Sequence, residues 1–270
     1  MNFGFILNSL AHIGIGYLIG CGFGITGIGA GVLAVPVLIH IFGLSPVYAV
    51  GTGLVFASLA KIGATIYHFR LGTIRLRRSF YFLLGSVPAV LFASTLVNYL
   101  GKILGSSKID QFLKIFTGII IIFSSLIIVF QLVTQDQQRR QIHIAQSRVQ
   151  PVPFSKKALA IFFGFIIGSL IGITSVGSGV LMIPILMGFL DASAKEAVGT
   201  SIFISVFLAF LGSLVYFSYG HVNILSAILL SLGAIPGVRL GSQLISKISE
   251  STLIIIVAAM VLISGISMFL

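Results

Sequence analysis

The chain has 270 residues, of which 57% are hydrophobic and 8% charged, with a mean hydropathy of +1.18 and a formal net charge of +11. About a quarter of an average soluble domain is charged, so this composition excludes a water-soluble enzyme or binding module of the usual kind. The positive charge does not indicate nucleic acid either, because Arg and Lys cluster beside long uncharged runs, as in loops that orient membrane spans.

Residues 1–60 contain no Asp, Glu, Lys or Arg. No basic stretch or small-residue cleavage site marks a removable signal peptide, so this start is expected to remain in the membrane domain. The apolar segments then run in order at about 5–42, 46–68, 79–100 and 111–133. A polar stretch, 134–157, rich in Gln and Arg and holding two prolines, reads as a cytoplasmic linker. After it come segments at about 158–189, 197–218, 222–246 and 251–270. A spanning helix needs roughly 20 apolar residues, which each segment supplies. The fold class is therefore an all-α polytopic, multi-pass protein of the cell (inner) membrane, with 1–133 and 158–270 as its two membrane repeats.

The halves are related. At a constant offset of 148, residues 16–40 match 164–188 with 12 of 25 positions identical, and AVGT recurs at 49–52 and 197–200. Gly85 and Pro88 meet Gly233 and Pro236 at the same offset. Each half opens with a segment too long for one crossing, since 38 residues at about 1.5 Å each would run near 57 Å. That segment is either a broken spanning helix or a hairpin entering and leaving on one side. Positive charges favour the hairpin. With hairpins the repeats are inverted, and eleven Lys and Arg fall inside against Lys102, Lys108 and Lys114 outside. With single crossings the count is nine against five, because Lys195 and Lys247 move outside.

Both opening segments carry a glycine-rich interruption before a proline, GITGIGAGVLAVP at 24–36 and GITSVGSGVLMIP at 172–184. Non-helical backbone at membrane depth survives only when packed in protein or lining a cavity. Gly27, Gly29, Gly31, Gly177 and Gly179 permit the break, and Thr26, Thr174, Ser175 and Ser178 add hydroxyls. Two restarted helices facing one another are expected to form a midplane anion site. The upstream glycines, Gly16, Gly20 and Gly24 with Gly164, Gly168 and Gly172, have small-xxx-small spacing and read as helix packing. Lys61 and Arg239 lie inside uncharged segments, where each either faces an anionic substrate or snorkels to the interface. A single cysteine, Cys21, leaves no CxxC metal or redox motif, and no cofactor is expected.

The duplicated glycine motifs, the repeated AVGT and the late PGVRLG at 236–241 resemble the TauE/SafE family of membrane permeases over nearly the whole chain outside the linker. The resemblance implies two domains about a pseudo-two-fold axis. It also implies transport of sulfite, organosulfonates or related sulfur-containing anions, by export in some members and uptake in others; alternating access around the site formed by the two motifs is the expected mechanism. An anion channel and a non-transporting membrane assembly protein are the alternatives; a membrane enzyme would need a nucleophile–base pair or ligand cluster that the sequence does not place at depth. The expected partners are a small anion and the lipid bilayer, not nucleic acid.

Overall fold

A computed structural model describes residues 3–26, 31–138, 154–176, 179, 181–190, 192–244 and 250–269. These residues form α-helices and short connections. The first half holds α1 (Phe3–Thr26), α2 (Gly31–His40), α3 (Pro46–Arg70), α4 (Leu76–Leu104) and α5 (Ser106–Gln138). The second holds α6 (Phe154–Thr174), α7 (Met182–Gly188), α8 (Ala194–Ser218), α9 (Ile224–Leu244) and α10 (Glu250–Ser267). Among the described residues seven helices, α1, α3, α4, α5, α6, α8 and α9, are long and apolar enough to cross a membrane. The 134–157 stretch is helical at both edges, because α5 runs on to Gln138 and α6 starts at Phe154.

Local chemistry sets the helix boundaries. Pro46 starts α3, where its missing N–H costs nothing. Ser193 and Glu196 form a reciprocal cap on α8, each side chain accepting from the other's backbone N–H at 3.4 Å. The helices α3 and α8 end alike. Gly72 (φ 65°) and Gly220 (φ 78°) take the left-handed conformation that glycine adopts without a Cβ penalty. Their N–H groups donate to Phe69 O and Phe217 O, and the following Thr73 and His221 N–H groups donate to His68 O and Tyr216 O. Each residue of the first cap lies 148 positions before its counterpart in the second.

Each opening segment is two helices, and its far ends meet. The His12 ring on α1 stacks on Phe42, just after α2, with centroids 3.7 Å apart. Phe163 on α6 meets Phe189, just after α7, at 4.7 Å. The chain thus turns back at each glycine motif. The upstream glycines let helices touch backbone to backbone. A Cβ on Gly16, Gly20 or Gly24 of α1 would strike the carbonyls of Leu230, Ala234 or Val238 on α9. On α6, Gly164, Gly168 and Gly172 meet Phe82, Ser86 and Val90 of α4 in the same way. The two sets of partners exchange under the 148-residue offset, which joins the opening hairpin of each half to a helix of the other half.

At the centre α3 and α8 lie antiparallel. Near the start of α3, Thr52 Oγ1 accepts the Asn223 N–H at 3.0 Å, beyond the end of α8. Near the start of α8, Thr200 Oγ1 accepts the Arg75 N–H at 3.1 Å, beyond the end of α3. These two bonds also map onto each other at the repeat offset. The main apolar core fills the space between, with Leu54, Phe56, Phe82, Leu186, Ile204 and Leu208 all fully buried.

Candidate functional site

The two motifs meet where they can be followed. Gly31 opens α2, and a Cβ there would collide with the Ser175 carbonyl at the end of the second motif. Val32 and Val176, the next residues on each side, are buried in one small cluster with Ile121, Ala258 and Val261. Gly53 of α3 closes the third side: a Cβ built on it would lie 3.2 Å from Ser175 Oγ and 3.1 Å from Val35. Small residues at 31 and 53 let a hairpin tip and a spanning helix approach Ser175 together.

The end of α6 is held by side chains that take up its unpaired carbonyls. Tyr216, fully buried on α8, donates to Gly172 O at 3.0 Å, and Ser94 of α4 donates to the same oxygen at 3.3 Å. The Thr174 hydroxyl donates to Leu170 O at 2.7 Å and accepts the Val176 N–H at 3.1 Å. Thr174 therefore shapes the turn with the hydroxyl that the sequence assigned to substrate. Gly179 is buried, and its carbonyl accepts the Ile183 N–H at 3.2 Å, beginning α7.

Ser175 stands apart among the described residues of the turn. Its φ is 60°, the only positive value at a non-glycine residue among the described residues. A left-handed conformation costs a residue with a Cβ about 1–2 kcal/mol. The side chain is 3% exposed, and Oγ has no hydrogen-bond partner among the described residues. An orphaned buried hydroxyl costs about 1–3 kcal/mol more. Backbone strain of this kind concentrates at ligand sites and switches.

The two intramembrane cations have different settings. Lys61 is 2% exposed, and its Nζ donates to Ser205 Oγ on α8 at 3.0 Å. That nitrogen also lies 6.0 Å from the centre of the buried Phe23 ring on α1. The ammonium is directed into the contact of α1, α3 and α8 and not along an apolar stem to the surface. Along α3 it stands eight residues, about 12 Å, beyond Gly53. Arg239 is exposed on α9, one position after the Val238 that packs on Gly24. Of the remaining sequence candidates, Thr26 ends α1 with its side chain outside the described residues, and Gly27, Gly29, Gly177 and Ser178 also lie outside them.

Sequence reasoning missed Gly53, Ser205 and Tyr216. Gly53 follows AVGT directly and could have been noticed there, but its second-half counterpart is Ser201, so the repeat gave no prompt. Ser205 reads as an ordinary polar residue of a spanning helix, and Tyr216, near a segment end, reads as part of an interfacial aromatic belt, whereas it is fully buried.

A family model described as "Sulfite exporter TauE/SafE" matches residues 12–268. The chain is 30% identical over 261 residues to "Probable membrane transporter protein YjnA" of Bacillus subtilis (strain 168), covering 96% of this chain and 99% of that protein. It is 26% identical to "Probable membrane transporter protein YunE" of the same organism, with 93% of each chain covered. It is 25% identical to a probable membrane transporter protein of Methanocaldococcus jannaschii, covering 100% of this chain and 98% of that protein. No solved structure shows a significant match.

Proposed function

The chain belongs to the TauE/SafE family and is a multi-pass membrane transporter, and from that premise we propose that it is a permease for small oxyanions. The proposed substrates are sulfite, organosulfonates or related sulfur-containing anions. The observation that carries this reading is the meeting of Gly31 with Ser175, which brings the two motifs to one place. Lys61 is proposed to supply the positive charge, because an ionisable side chain directed into the helix contacts at membrane depth is commonly part of a substrate path. Arg239, Thr26, Gly27, Gly29, Thr174, Gly177, Ser178 and Gly179 are the other proposed contributors, through charge, hydroxyls or open backbone.

The proposed mechanism is alternating access between inverted repeats. Supporting it are the antiparallel α3 and α8, whose bonded pairs exchange under the repeat offset, and the two hairpins that pack on helices of the opposite half. Such architecture commonly places substrate at the repeat interface near the midplane. Purified protein in liposomes tests it. Uptake of radiolabelled sulfite or methanesulfonate is expected to saturate and to be accelerated by the unlabelled anion on the opposite side. Flux that neither saturates nor shows counterflow would mean a channel, and no flux for any oxyanion would remove the reading.

A further inference from the structure

Buried serines in this protein usually spend their hydroxyl on the preceding turn. Ser58, Ser201 and Ser205 donate to Val55 O, Val198 O and Ile202 O in their own helices, at 2.8, 2.9 and 2.9 Å. Ser86 and Ser231 do the same one residue further back. Ser175 cannot, because its left-handed backbone ends the helix and turns the side chain away from α6. The neighbouring backbone N–H groups are served, since Ser175 N–H donates to Ile171 O and Val176 N–H to Thr174 Oγ1. The hydroxyl has no partner among the described residues and faces the bare Cα of Gly53. The other orphan among the described residues, Thr117 Oγ1, lies on α5, outside the two motifs.

The repeat sharpens the point. At the offset of 148, Ser175 corresponds to Gly27 and Gly53 to Ser201, so serine and glycine have changed places between the halves. The serine on the helix is satisfied by its own backbone. The serine on the hairpin is not.

We propose that the Ser175 hydroxyl is the hydrogen-bond donor for one oxygen of the transported oxyanion, and that this oxygen enters between Ser175 and Gly53 when α3 parts from the second hairpin. The inference rests on the permease reading and assigns that site its contact. It makes the site one-sided, with the anion seated nearer the second motif.

The variants are Ser175→Gly, Ser175→Asn and Gly53→Ala, with sulfite, sulfate and methanesulfonate as probes, measured by binding to detergent-purified protein and by liposome flux. Ser175→Gly relieves the φ strain and deletes the orphan together. It is expected to raise the melting temperature while weakening the best-bound anion about tenfold or more, roughly the worth of one hydrogen bond to a charged group. Ser175→Asn tolerates the same backbone and keeps a donor, so it is expected to bind more tightly than the glycine variant. Gly53→Ala puts a methyl beside the hydroxyl and is expected to weaken the same anion. Wild-type affinity in Ser175→Gly, or a fall in affinity accompanied by lower stability, would overturn the inference and leave the permease intact. Wild-type affinity in Gly53→Ala would overturn the placement of the oxygen. Wild-type protein that neither binds nor moves any of the three anions would remove both the permease reading and this contact.

Discussion

The two ends of the α3–α8 pair are alike in backbone and unlike in chemistry. Each has a threonine hydroxyl accepting an N–H from the loop beyond the other helix, Thr200 from Arg75 and Thr52 from Asn223. At the Thr200 end, Arg75 also pairs with Glu196 through Nε at 2.7 Å and through a terminal guanidinium nitrogen. The position equivalent to Glu196 at the other end is Tyr48, which meets the His221 ring edge-on at 5.2 Å. There the His221 Nδ1–H donates to Asn98 Oδ1 at 2.5 Å, and Asp110 accepts the Val47 N–H at 3.0 Å. The repeat has kept the hydrogen bonds that fix helix register and changed the side chains around them. If the ends open in turn, one is closed by charge and the other by a partly buried imidazole.

The comparison breaks outright if the ends do not face opposite sides of the membrane. Thr73 lies at the Thr200 end and Ser218 closes α8 at the other, so a helix of 25 residues, about 37 Å, separates them. In a Cys21→Ser background, Ser218→Cys is expected to react with an impermeant thiol reagent on intact cells, and Thr73→Cys only after permeabilisation. Both sites reacting from one side would sink the inverted arrangement and the two-gate reading with it.

Between the ends the asymmetry is sharper, because the position equivalent to Lys61 is Ala209. Lys61→Met keeps most of the stem and removes the charge. The melting temperature is expected to hold or rise, since a buried ion replaced by an apolar group of similar volume often costs nothing. Anion flux is expected to fall about tenfold or more, the scale of a single charge-assisted hydrogen bond. Full flux in this variant would leave Lys61 as a packing residue tied to Ser205.

The membrane class, the helix order and the repeat were legible in the sequence because each is written in patterns that many residues share. Seven long apolar helices among the described residues and a constant 148-residue offset do not depend on any one side chain. The candidate site was legible only in outline. The glycine motifs announced a break in the helix, and Gly31 does abut Ser175. Which hydroxyl is spent on the fold was not readable: Thr174 and Ser175 are adjacent and similar, yet one serves the turn while the other has no partner among the described residues. That distinction depends on one φ value. The contrast between Lys61 and Arg239 was equally hidden, since both interrupt an uncharged run and only tertiary contact separates a buried ammonium from an exposed guanidinium.

The smallest expected effects set the two ends against each other directly. Glu196→Gln keeps the reciprocal cap with Ser193, because Gln serves at that position as Glu does, and removes only the charge. Glu196 is 15% exposed and Arg75 36%, so the pair is expected to be worth about 1 kcal/mol or less and to weaken with added salt. Labelling of Thr73→Cys should therefore quicken severalfold in Glu196→Gln, and salt should quicken it in the parent but not in the variant. The His221 end should respond to acid instead. Burial holds the His221 pKa below its ordinary value, with Lys102 acting the same way and Asp110 opposing both. The unfolded chain then takes up a proton at His221 before the folded chain does, so this contribution is present above about pH 6.5 and is lost as the pH falls. The melting temperature should drop on going from about pH 7 to pH 5. Because Asp110 opposes the shift, His221 should account for only part of that drop. His221→Asn should remove that share of the slope while leaving the salt response of the Arg75–Glu196 end unchanged. If the histidine variant lost the salt response, or the glutamine variant lost the pH slope, the ends would be parts of one network, and the picture of two differently closed gates would fail.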